Sequence, residues 1–285
     1  DNIYSSAFSP DSDLIYSAEK ISDPEIPGTS EAYSIVGLKG TADNVDFGLF
    51  GKAPKDHVFK VSDLRLEGCS FESKGQSTGA VLGEFQGSDL EFHNIYVGDY
   101  VDPDTKDIME SVFLAKKYAG GLVGSIAGIG SHTKITQCES NAYIMGEETA
   151  GGLIGRVDKG SLDISNTYVA GHTRNAYYGQ EEDGSTQGRI NIFAGSKDDH
   201  KGSAGGFVGS FKGQKDTVSI NNCYTTASIA GHKGLTGKYI GSLEGNASSN
   251  NTTFTITNVY SLGPVLTQEL VPQTKDVGSK SDFTV

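Results

Sequence analysis

Along most of this chain apolar and polar residues alternate one by one in short runs, and each run ends at a glycine or at a polar side chain. Leu66-Glu67-Gly68-Cys69-Ser70, Phe92-His93-Asn94-Ile95-Tyr96 and Ile135-Thr136-Gln137-Cys138-Glu139 are three such runs. Ile164-Ser165-Asn166-Thr167-Tyr168, Ile220-Asn221-Asn222-Cys223-Tyr224 and Ile256-Thr257-Asn258-Val259-Tyr260 are three more. A period of two places successive side chains on opposite sides of an extended backbone, so each run predicts a strand.

Between these strands a second shape recurs. It is Phe47-Gly48-Leu49-Phe50-Gly51, then Gly79-Ala80-Val81-Leu82-Gly83, then Gly120-Gly121-Leu122-Val123-Gly124. It returns as Gly151-Gly152-Leu153-Ile154-Gly155, Gly205-Gly206-Phe207-Val208-Gly209 and, more loosely, Gly237-Lys238-Tyr239-Ile240-Gly241. The closing glycines lie 32, 41, 31, 54 and 32 residues apart, so the unit is 31 or 32 residues and two intervals carry inserts. A unit this short cannot bury its apolar side alone, whereas stacked copies share one core. The predicted fold is all-β: a parallel β-solenoid of about six rungs with loop inserts and a capped N-terminal end.

In such a stack, equivalent residues of neighbouring rungs lie about 4.8 Å apart. One column is expected to run Gly68, Asn94, Gln137, Asn166, Asn222 and Asn258, as a ladder of hydrogen-bonding amides. The next is expected to run Cys69, Ile95, Cys138, Thr167, Cys223 and Val259 inside the core. The three cysteines then fall on alternate rungs, about 9.6 Å apart, beyond the reach of a disulfide, and three buried reduced thiols follow. The motif glycines either turn the chain with positive φ or let rungs approach closely.

Three copies, Ala119 to Gly124, Ala150 to Gly155 and Ala204 to Gly209, each followed by an Ile-x-Asn/Gln-Cys/Thr strand, resemble the GLUG repeat. That repeat occurs in bacterial surface proteins, including haemagglutinin-like adhesins and the non-catalytic part of IgA-cleaving metallopeptidases. The resemblance covers about residues 44 to 263 and implies a right-handed parallel β-helix used as a stalk or display surface, without catalytic residues. The H-E-x-x-H zinc signature of the peptidase part is absent from the sequence.

The organisation expected is an N-terminal cap over residues 1–43, the solenoid over 44–263 with inserts at about 98–118 and 173–203, and a C-terminal cap or linker over 264–285. In the first insert the Asp107/Glu110 spacing ahead of Ser111 to Lys117 predicts a short helix packed over the solenoid side. The same insert offers Asp102, Asp104 and Asp107 as oxygen donors for Ca²⁺, without the glycine and distal Glu of an EF-hand. The second insert places Tyr177, Tyr178, Arg189 and Phe193 among carboxylates, a combination that holds a sugar or a protein partner by stacking and hydrogen bonding. No catalytic, cofactor-binding or metal-ligating set is identified beyond these.

Composition narrows the function. Twenty-three Lys and Arg against 36 Asp and Glu give a net charge of −13. Such a surface repels phosphate backbones and anionic lipid, so nucleic acid is not the expected partner. No run approaches 18 apolar residues, so membrane insertion is not expected either. The glycine, serine and threonine richness, two Met and no Trp suit an extracellular bacterial protein, secreted or surface-attached. The start at Asp1 is read as a mature product or an excised segment of a larger chain. The expected function is a non-enzymatic surface module, an adhesin-type stalk or ligand-display domain facing a host or matrix protein or glycan. The alternative is an accessory substrate-positioning domain of a secreted peptidase or glycan-active enzyme, with a polysaccharide-active β-helix enzyme as the remote third.

Overall fold

The structure is a computed structural model. It describes residues 34–171, 190–195, 202–213, 216–232, 234–244 and 252–267, with the backbone alone of 3–4, 14–17, 178–180 and 186–188. Every regular element among the described residues is a strand. Each full turn lays down four strands, one on each of four sheets. In one turn these are Asp89–Gly98 (face I), Val112–Ala115 (face II), Tyr118–Gly120 (face III) and Val123–Ile126 (face IV). The next turn repeats them as His132–Thr136 with Glu139–Ser140, Tyr143–Gly146, Thr149–Gly151 and Ile154–Val157. All pairings between equivalent strands are parallel and in step, for example Phe92 with Ile135 and Ile135 with Ile164. The chain is therefore a parallel β-solenoid, as the repeat predicts.

The N-terminal strands join the stack. Leu14–Ser17 and Ser34–Val36 both lie along Val58–Glu67 on face I, and Ile3–Tyr4 lies along Lys39–Ala42 on face II. At the other end Val265–Thr267 pairs with Ile229–Gly231 on face II.

The core is filled by columns of like residues. Phe71 and Phe113 follow one another in one column with ring centroids 5.7 Å apart, the Phe47 ring of face III lies edge-on to Phe71 at 5.5 Å, and Phe59 packs on Phe92 at 6.2 Å. The predicted inner column is present from Ile95 onward through Cys138, Thr167, Cys223 and Val259. Its first member is Leu64, not Cys69, because Ile95 pairs with Leu64. Gly68 likewise gives up its place to Asp63, which sits opposite Asn94 and bonds to it. Gly68 instead turns the corner into face II, and Cys69 lies beyond it beside Ser111, whose Oγ accepts from the Cys69 amide. All three cysteines are nonetheless free and buried, and burial pushes the thiols of Cys69, Cys138 and Cys223 up to about 11, 12 and 11. They stay protonated and behave as small apolar groups.

The amide column is a backbone device as much as a ladder. Asp63, Asn94, Gln137, Asn166, Asn222 and Asn258 all have φ between 51° and 56°, the left-handed region that Asn and Asp enter most readily among residues with a Cβ. Asn258 donates to Asn222 at 3.1 Å and Asn222 to Asn166 at 3.4 Å. Gln137 is the poorest fit, since its longer side chain lacks the local bonding that eases this conformation. Replacing Gln137 with Asn is expected to raise stability by about 0.5–1 kcal/mol, read as a higher urea midpoint at unchanged slope.

The motif glycines serve close approach. Neither Gly124 nor its equivalents appear in the positive-φ set. A Cβ on Gly83, Gly124, Gly155, Gly209 or Gly241 would instead lie 2.4–2.5 Å from the carbonyl oxygen of the equivalent glycine one rung earlier.

A further expectation fails. Ser111 to Lys117 is not a helix: Val112–Ala115 is the face II strand of its rung, paired with Ser70–Ser73 on one side and Tyr143–Gly146 on the other. The β-branched and aromatic Val-Phe pair and the two exposed strand edges outweigh the capping pattern. The insert proper is a hairpin, Tyr100–Val101 against Ile108–Met109.

Candidate functional site, a polar seam between two faces

Face III is short, and the glycine corner folds face IV sharply against it, so the outer sides of the two meet in a concave seam. The outward column of face III is Asp46, Ser77, Tyr118, Thr149 and Ser203, because Phe47 bridges Thr78, Ala119 pairs with Thr78, and Tyr118, Thr149 and Ser203 pair in turn. The outward column of face IV is Lys52, Glu84, Ser125, Arg156, Ser210 and Ser242. The two columns mesh with a stagger of one rung. Asp46 bonds Glu84, Ser77 Oγ donates to Ser125 Oγ at 3.1 Å, the Arg156 guanidinium lies 5.0 Å over the Tyr118 ring, and Ser203 Oγ donates to Ser242 Oγ at 2.8 Å. Each contact joins a face III residue to the face IV residue of the following rung, so the seam laces the rungs together along the axis.

At one end of the seam two carboxyl groups touch. Burial and the neighbouring Glu84 push Asp46 up to about 6, although the Ser77 amide donates to it at 3.2 Å. Burial acts on Glu84 too, but the bonds from Asp46, Lys52 (2.8 Å) and Gln86 (3.0 Å) hold its carboxyl below the ordinary carboxylate range. The pair thus holds one proton, on Asp46, in mildly acid solution. Because the folded-state value of Asp46 exceeds its unfolded value, folding takes up a proton between about pH 4 and 6, and the stability it contributes at low pH is lost as pH rises through 6. Asp46→Asn is therefore expected to raise the melting temperature clearly at pH 7.5 and much less at pH 4.5, in paired thermal melts.

At the other end the seam widens into a cleft of about 550 Å³. Lys116, Lys117, Glu147 and Glu148 form one wall, at the corner between faces II and III, and Arg156 and Glu244 form the other. Arg156 is the centre of this wall. Its side chain is only 12% exposed, Nε donates to Asp158 at 2.8 Å, and both terminal nitrogens donate to the Glu244 carboxylate at 3.2 and 3.4 Å. Lys116 pairs with Glu147, and Lys117 donates to Gln76 at 3.1 Å. The cleft therefore presents fixed charges of both signs over a floor of buried hydroxyls, Thr149, Ser203 and Ser242. Such a surface suits a segment carrying its own carboxylates, ammonium groups and amides.

The residues singled out from sequence lie elsewhere. Tyr177 and Arg189 fall outside the described residues. Tyr178 begins a strand, Tyr178–Gln180, antiparallel to Thr186–Gly188. Phe193 belongs to the face II strand Ile192–Ala194, between Met145 and Ala230. Asp102, Asp104 and Asp107 share the exposed hairpin turn, where Asp102 Oδ1 accepts from the Asp104 and Thr105 amides at 2.8 and 2.9 Å. Those two bonds occupy Asp102 in shaping the turn. Among the described residues no three His, Cys, Asp or Glu gather as a metal-binding group. The seam escapes a sequence reading because its partners are far apart in the chain, Ser77 and Ser125 by 48 residues. The one available signal is the polar residue two places after each motif aliphatic, as in Val123-Gly124-Ser125, Ile154-Gly155-Arg156 and Val208-Gly209-Ser210.

No protein-family profile matches this sequence, and no curated protein matches it. Among solved structures, the chain is similar to the 1.30 Å crystal structure of a "putative immunoglobulin A1 protease" from Bacteroides ovatus, with a TM-score of 0.50 and 17% identity. The match covers 91% of this chain and 70% of that one. At that identity the likeness is one of fold.

Proposed function

We propose that this chain is a non-enzymatic, extracellular ligand-display module of a bacterial surface protein, an adhesin-type stalk of GLUG-like repeats whose seam cleft grips an extended peptide segment of a host or matrix protein. The observation that carries the reading is the cleft itself. Rigid rungs hold Lys116, Lys117, Glu147, Arg156 and Glu244 around one opening, and a preorganised set of opposite charges favours a zwitterionic chain. The Asp46 and Glu84 carboxyl groups argue against glycoside hydrolysis. They bond to each other directly, whereas retaining enzymes hold the two groups about 5–5.5 Å apart and inverting ones about 6.5–9.5 Å apart. A second reading, an accessory domain that positions substrate for a secreted peptidase, is favoured by the fold shared with the Bacteroides ovatus chain.

An array of host extracellular and matrix proteins, probed with the full chain in about 150 mM salt, tests the reading. Capture by at least one protein, weakening as salt is raised, is expected for a charge-lined cleft. Capture of none, or capture indifferent to salt, contradicts it.

A further inference from the structure

The outer side of face I changes character along the axis. Its first three rungs are charged, with Lys60 paired to Glu91 at 2.7 Å, Lys134 in the same column, and Arg65 4.1 Å over the ring of Tyr96 with Glu139 following. In the last three rungs the column that held Arg65, Tyr96 and Glu139 continues as Tyr168, Tyr224 and Tyr260. Beside it runs the ladder of Asn166, Asn222 and Asn258. The columns beyond carry Ser165, Asn221 and Thr257, then Asp163, Ser219 and Thr255. In a chain with 21% charged residues, this half of the face holds one charge, Asp163.

The strip is both exposed and ordered. Tyr224 and Tyr260 are 43% and 63% exposed, and Tyr224 stacks on Tyr168 with ring centroids 4.0 Å apart and planes 24° apart. The ladder amides fix one another and use only part of their capacity, since an Asn side chain offers two donors and two acceptor lone pairs. Rings that expose apolar surface at low entropy cost, next to a row of prepositioned amides and hydroxyls, match a ligand with apolar C–H faces and a rim of hydroxyls. The near absence of charge on the strip, on a chain of net charge −13, selects against an acidic polymer.

We infer that the Tyr168, Tyr224 and Tyr260 column with its neighbouring asparagine ladder is a binding strip for a neutral polysaccharide, separate from the seam cleft. The sugar rings lie against the exposed tyrosines, and their hydroxyls bond to the amides of Asn222 and Asn258.

Native affinity electrophoresis of the full chain tests this, in gels containing a soluble β-1,3-glucan, a β-1,4-linked hydroxyethyl glucan, an α-mannan, or polygalacturonate as the acidic comparison. Retardation by at least one neutral polymer is expected. The Tyr224→Ala/Tyr260→Ala variant should bind that polymer roughly tenfold more weakly, the sum of two aromatic contacts. Both side chains lie on the surface, and an unchanged circular dichroism spectrum confirms that the variant is folded. The Lys116→Ala/Lys117→Ala variant should be retarded like the parent chain, which separates this strip from the cleft. Retardation by polygalacturonate alone, by none of the polymers, or equally with and without the tyrosines overturns the inference.

Discussion

Gly124→Ala is expected to cost at least about 3 kcal/mol, visible as a large fall in the urea midpoint or as failure to fold. The new Cβ would sit 2.5 Å from the Gly83 carbonyl oxygen and 2.7 Å from the Thr78 amide nitrogen. Both are backbone atoms held by inter-rung pairing, so neither can swing away as a side chain would. Displacement would also propagate, because the Gly124 carbonyl oxygen fills the corresponding space against Gly155. Gly130→Ala supplies the contrast. Its φ is +70° but nothing lies within 4 Å of the added carbon, so it should cost only about 1–2 kcal/mol, the conformational penalty alone. If the two substitutions cost the same, steric stacking is not what the motif glycines provide.

Phe71→Ala is the other large effect. Phe71 lies in the column under face II between Gly40 and Phe113, with the Phe47 ring of face III edge-on against it, and is 3% exposed. Removing the ring leaves a cavity that the neighbouring strands, each bonded on both sides, cannot close, so about 3–5 kcal/mol should be lost. Equilibrium denaturation measures it. A loss under about 1 kcal/mol would mean that the column repacks freely.

The fold is legible in the sequence because two of its columns obey chemistry that shows in single letters. A Cβ on the motif glycines collides with backbone, and the left-handed corner favours Asn, so both positions repeat visibly at the rung period. The loosest glycine copy makes the same point: Lys238 replaces the second glycine where Thr236–Gly237 is the edge strand of its sheet, whereas Gly206 one rung earlier has the Lys238 carbonyl oxygen 2.1 Å from where its Cβ would be. The first rung misleads because Asp63 and Arg65 replace the usual Asn and Tyr, while Cys69 imitates Cys138 and Cys223. Spacing holds the answer, since Asp63 precedes Asn94 by the 31 residues of one unit. The strand at Val112–Ala115 is hidden behind a capping pattern because local spacing says nothing about the two strand edges waiting on either side.

The candidate site is much less legible. A break in the repeat is the visible place to seek function, which draws attention to Tyr177, Tyr178, Arg189 and Phe193. The seam and the tyrosine strip are built instead from the regular units, by outward side chains that only the stacking brings together. Ser203 meets Ser242 across 39 residues, and Arg156 meets Glu244 across 88.

The measurement that bears most directly on the seam as a binding surface is the dissociation constant of a captured host protein for the parent chain and for the Lys116→Ala/Lys117→Ala variant, by calorimetry at fixed salt. Lys116 and Lys117 line the cleft from the corner after face II and are not part of the core. Binding to the variant should be at least roughly tenfold weaker, the scale of removing two charge-assisted hydrogen bonds from a fixed site. Equal affinity for the two proteins would mean that the seam cleft is not where the partner binds.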